Sequence, residues 1–172
     1  GLESPIVLPQ GEDKLFLLRP CAITVAMLEE EGFSVSLDTA VTELLQPGEQ
    51  PLAPGMKYRH YAAKAELLIV EGAEDAVIKK INALVKEKEA QGIVAGVIGT
   101  EETVSKYQAG IVKSMGTRTD EISISSHLYG ILREFDESDA EVIYSESFEE
   151  GAMGSAIMNR LLKAAGHKII SA

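Results

Sequence analysis

The chain has 172 residues, 45% of them apolar and only 5% aromatic, and it carries 27 Asp and Glu against 16 Lys and Arg for a formal charge of −11. That excess of acid argues against a broad nucleic-acid or anionic-membrane surface, because phosphate binding rests on many cations. No apolar run approaches the ~20 residues of a membrane-spanning helix, and there is no signal peptide. The single cysteine, Cys21, excludes an intrachain disulfide, fits a reducing cytoplasm and reads as a packed, inert thiol. The chain starts at Gly1 without an initiator Met and reads as a piece of something longer.

Residues 5–9 and 14–18 are short apolar runs separated by Gln10-Gly11-Glu12-Asp13, which predicts a β-hairpin. Thr24 caps a short helix through Glu31, stopped by Gly32, and the alternation over 33–37 predicts a strand. This is too little material for an independent core, so residues 6–8 and 15–18 are expected to be exposed.

Between Glu49 and Glu66 there is no acid, and Lys57, Arg59, His60 and Lys64 fall into that gap with Tyr58 and Tyr61 among them. Pro47, Pro51 and Pro54 fix φ and remove backbone donors, so this segment is stiff and not an ordinary helix. Two readings stay open on composition: a plain linker resting on an acidic body, or a strap of donors that closes over an anion.

After the linker the pattern is regular. Residues 67–70, 93–98, 111–115 and 140–144 predict buried strands, with 168–170 as a closing one. Helices are expected over 73–91, over 101–108, from Thr119 or Asp120 through Phe135, and from Gly154 or Ser155 to Ala165. The first carries Val77, Ile78, Ile81, Leu84 and Val85 on one stripe. The third carries Ile124, Leu128, Ile131, Leu132 and Phe135, and the last Ile157, Leu161, Leu162 and Ala165. Alternating apolar strands and amphipathic helices specify right-handed crossovers and a parallel sheet with helices on both faces, a Rossmann-like α/β domain. Its first turn reads E-G-A-E-D-A rather than G-x-G-x-x-G, and Glu74 and Asp75 would repel a pyrophosphate there.

Other candidates are weaker. Gly151 to Gly154 could form an anion nest, but Glu146, Glu149 and Glu150 beside it favour a plain turn. Asn159 and Arg160 read as partners for neighbouring loops, His127 as a satisfied or surface imidazole, and His167 as a contact of the last helix's C-terminus. No spacing of His, Cys and carboxylates suggests a metal cage, and no P-loop or G-x-S-x-G occurs.

Together G-L-E-S at 1–4, L-L-R-P at 17–20, P-G-M-K-Y-R-H-Y at 54–61, L-R-E-F-D at 132–136 and A-I-M-N-R-L at 156–161 resemble the threonylcarbamoyl-AMP synthase family. The resemblance implies three parts: residues 1–46 as the tail of a YrdC-type α+β catalytic domain, 47–64 as the interdomain linker, and 65–172 as the Rossmann-like accessory domain. It implies synthesis of threonylcarbamoyl-AMP and pyrophosphate from L-threonine, bicarbonate and ATP, with Mg2+ held by the missing catalytic half. Other proteins then transfer the group to tRNA, in the cytoplasm. By position, Ser4 would hold threonine and Arg19 would touch ATP, while Lys57, Tyr58, Arg59 and His60 would close over nucleotide or pyrophosphate. Pro5, Cys21, Ala53 and Ala63 depart from the family's usual Thr, Gly, Ser and Pro. On its own the chain is expected to be inactive. The alternative is a stand-alone regulatory or binding module that docks on a separate catalytic protein.

Overall fold

The computed structural model describes residues 5–20, 23–38, 41, 63–148 and 154–172. Strand β1 (Ile6–Pro9) pairs antiparallel with β2 (Lys14–Arg19), Val7 opposite Leu17, as the turn composition requires. Helix α1 (Val25–Glu30) starts at Thr24, whose hydroxyl accepts from the Met27 amide at 3.2 Å. It leads into β3 (Ser34–Leu37), which lies parallel to β2, so β2–α1–β3 is a small crossover unit.

The exposure expected for residues 15–18 is corrected: Leu17 and Leu18 are buried, at 1% and 3% exposure. They are adjacent in a strand and point to opposite faces, so the end of β2 is covered on both. Leu8, on the hairpin's outer strand, does stand out, 43% exposed.

The second sheet has five parallel strands in the order β6-β5-β7-β4-β8. These are β4 (Glu66–Glu71), β5 (Ala95–Gly99), β6 (Ile111–Ser114), β7 (Val142–Glu146) and β8 (Ile169–Ser171). Helix α2 (Glu74–Ala90) joins β4 to β5, α3 (Glu121–Asp136) joins β6 to β7, and α4 (Gly154–Ala165) joins β7 to β8. Strand alternation sends Leu67, Ile69, Ile98 and Ile143 into one core with α3 and α4. Val70, Val97, Val142 and Tyr144 enter a second core with Val77, Ile81 and Val85 of α2. The Rossmann-like reading of the sequence therefore describes the fold. One close approach fixes its depth: a Cβ on Gly96 would overlap the buried Phe135 ring, so a side chain there would force α3 and β5 to shift.

Two expectations shift. The helix expected over 101–108 is a single 3₁₀ turn, Val104–Lys106. Thr103 and Thr100 turn inward on each other, with the Thr100 amide donating to Thr103 Oγ1 at 3.0 Å, and this local bonding competes with helix continuation. The strand expected at 140–144 runs two residues later and ends in Glu146. At the end of α4 the His167 amide donates to the Leu162 carbonyl at 2.8 Å, closing the helix as its position suggested.

Candidate functional site

Neighbouring strands β7 and β4 leave the sheet toward opposite faces, β4 into α2 and β7 toward α4. Their carboxyl ends thus frame a crevice, the position where open α/β sheets hold ligands. A cavity of about 350 Å³ lies there, lined by Gly72, Ala73, Glu74, Val77, Arg118, Glu146 and Ser147.

Glu146 is its organising group. The residue continues the Val142–Tyr144 face of β7 into the core and is 1% exposed. An ionised carboxylate is buried only when paired and hydrogen-bonded. Here Oε1 accepts from the Tyr107 hydroxyl at 2.6 Å and from Thr103 Oγ1, while Oε2 pairs with Arg118 Nη2. A Cβ on Gly99 would sit 2.9 Å from Glu146 Oε1, Thr103 Oγ1 and Tyr107 Cε2, so β5 must end in glycine for the three to meet. Burial, reinforced by the adjacent Glu146 carboxylate, pushes the Tyr107 hydroxyl well above the ordinary tyrosine range.

Arg118 comes from the loop between β6 and α3. Its Nη1 donates to the Ser147 carbonyl at 3.3 Å, its guanidinium stacks 5.0 Å from the Phe148 ring centre, and its amide donates to Glu102 at 3.0 Å. Glu74, at the start of α2, pairs with Lys106 at 2.8 Å. The cluster ties the exits of β5, β6 and β7 together. Arg118 is paired with Glu146 and Glu74 with Lys106, so the charges at the crevice hold its shape. Among the described residues no group of three or more His, Cys, Asp or Glu could hold a metal ion.

The residues singled out in the sequence lie elsewhere. Arg19 ends β2 opposite Ile6, half-buried, and is followed by the buried Pro20. Ser4, Lys57, Tyr58, Arg59 and His60 lie outside the described residues, as do Cys21 and residues 151–153. His127 is exposed, its Nδ1 3.2 Å from Ser123 Oγ. Thr103, Tyr107, Arg118 and Glu146 were not expected as a cluster; the available signal was an acid in phase with the buried residues of a strand.

The family model described as the threonylcarbamoyl-AMP synthase C-terminal domain, Sua5_C, matches residues 23–166. The chain belongs to this family. As a Sua5 C-terminal chain it is 40% identical over 170 residues to the threonylcarbamoyl-AMP synthase of Bacillus subtilis (strain 168), covering 99% of this chain and 47% of that protein. It thus spans about half the length of the curated relatives it matches. The crystal structure of Pyrococcus abyssi Sua5 complexed with L-threonine superposes with a TM-score of 0.87 at 35% identity, over 100% of this chain and 48% of that one. The crystal structure of the C-terminal Sua5 domain from Pyrococcus horikoshii matches 64% of this chain and 100% of its own, with a TM-score of 0.53 at 36% identity. Among the described residues no helix of this Sua5 relative is long and apolar enough to cross a membrane.

Proposed function

We propose that the chain is the C-terminal portion of an L-threonylcarbamoyladenylate synthase and supplies its linker lid and accessory domain. The observation that carries this reading is the extent of the structural likeness. The solved Sua5 that holds L-threonine matches all of this chain, including the hairpin and crossover that precede the α/β domain.

In that reading residues 1–46 complete a catalytic domain, 47–64 form the lid and 65–172 the accessory domain. Ser4 holds threonine and Arg19 contacts ATP. Lys57, Tyr58, Arg59 and His60 bring donors to the phosphates, where negative charge gathers as pyrophosphate leaves; donors placed in advance stabilise it without reorganising. A closed lid also keeps water from a labile adenylate. In this reading the Mg2+ that accompanies ATP is held by the rest of the catalytic domain. The product passes to the proteins that modify tRNA.

The test is pyrophosphate release from ATP that depends on threonine and bicarbonate. The synthase carrying this chain should turn over, Arg59→Ala should lower its turnover by about 10-fold or more without loss of stability, and the 172 residues alone should be inert. Turnover by the 172-residue chain, or none by the whole, would overturn the reading.

A further inference from the structure

Helix α4 is enclosed all round over residues 156–161. These residues are buried without a break, and six successive helical residues sweep about 500°, more than a full circle. On the opposite face α2 keeps the ordinary pattern, with only Val77, Ile81 and Val85 buried. One side of α4 is accounted for by the core, where Ile157, Leu161 and Ala164 pack. Asn159 points to the side away from them and Arg160 lies at the margin of the core face, one turn from Ile157 and Ala164; they are 3% and 8% exposed.

Both of these side chains donate to main-chain carbonyls of the hairpin–crossover unit. Asn159 Nδ2 bonds the Val41 carbonyl, and Arg160 Nη1 reaches the Pro20 carbonyl at 3.5 Å. Pro20 follows β2 and Val41 follows β3, so α4 grips the chain just past the carboxyl ends of two adjacent parallel strands. Burying an amide and a guanidinium is unfavourable unless each finds its acceptor. Apolar side chains would give adhesion alone; donors directed at main-chain carbonyls also fix position.

What is fixed follows from Pro20. Its ring locks φ, and a residue preceding proline is itself confined to extended conformations, so Arg19 and Pro20 form a stiff couple with little slack between them. A hold on the Pro20 carbonyl therefore restrains how far Arg19 can shift at the strand end. We propose that Asn159 and Arg160 are positioning residues through which the accessory domain orients Arg19 toward ATP. This rests on the synthase reading above, in which Arg19 meets the nucleotide.

The experiment has two arms. In the synthase carrying this chain, Arg160→Ala should raise KM for ATP by about 5- to 10-fold and leave KM for threonine unchanged. In an Arg19→Ala background the same change should add nothing, since residues acting as a unit are not additive. Arg160→Lys, which keeps a donor, should recover part of the loss. In the 172-residue chain, Asn159→Ala and Arg160→Ala should each speed amide exchange over Leu17–Arg19 while leaving α2 protected, a readout that needs no activity. Equal and additive effects with and without Arg19, a parallel rise in both KM values, or unchanged exchange at the end of β2 would overturn the positioning role. If Arg19→Ala alone leaves KM for ATP untouched while exchange at β2 still responds to Arg160→Ala, the ATP assignment of Arg19 fails and the clamp stands.

Discussion

Glu146 is the side chain whose surroundings are most constrained, since it is buried at a strand end and satisfied by Thr103, Tyr107 and Arg118. Tyr107→Phe removes one of those donors and should lower stability at neutral pH by about 1 kcal/mol. The same variant has a signature in alkali. In the folded protein burial and then the Glu146 carboxylate raise the Tyr107 hydroxyl above its ordinary value of 10.0. The unfolded chain therefore sheds this proton first as pH rises, and stability falls above about pH 10. Phenylalanine has no proton to lose. The gap between the two proteins in urea denaturation should narrow from about pH 9 to pH 11; a constant gap would show that Tyr107 titrates alike in both states. Little of this cluster was legible in the sequence. The strand was expected to stop at Tyr144, two residues short, and that error left Glu146 among the loop acids instead of on the buried face. Arg19 was legible as a strand-end guanidinium, but the partners of the Pro20 carbonyl come from residues 140 positions away, beyond the reach of local pattern.

Regular elements were legible wherever periodicity and a capping group agreed. In α3 the stripe from Ile124 to Phe135 is buried throughout, and Asp120 starts the helix by accepting from the Ser123 amide at 3.0 Å. Asp120→Ala should accordingly destabilise the protein by about 1 kcal/mol, with Asp120→Asn recovering most of it, as judged by thermal melts. The segment at 101–108 misled for a physical reason. Its polar, helix-compatible composition is spent on tertiary bonds, because Thr103 and Tyr107 both turn to Glu146 and Asn82 holds the Gln108 amide at 2.9 Å. Strand β3 was legible from its alternation, but its parallel pairing to β2 was not, since alternation carries no information about direction.

Across the molecule, both hydrophobic cores of the five-stranded sheet are drawn from Ala63 and the residues after it. Residues 63–172 should therefore fold by themselves with one cooperative transition in calorimetry, in line with the solved C-terminal Sua5 domain. A broad, non-cooperative melt would show that the hairpin–crossover unit is needed to complete the core through α4. The binary pattern disclosed that these strands lie in one covered sheet; their spatial order depends on which crossover lands where.

That order has a consequence for how the chain is made. Strand β4 is the earliest of its sheet to leave the ribosome, yet both of its neighbours, β7 and β8, come from residues 142–171. Leu67, Ile69 and Val70 must wait, unpaired and apolar, through the synthesis of everything between. Interruption of translation near residue 140 would release a chain with an open sticky edge, a substrate for a nascent-chain chaperone.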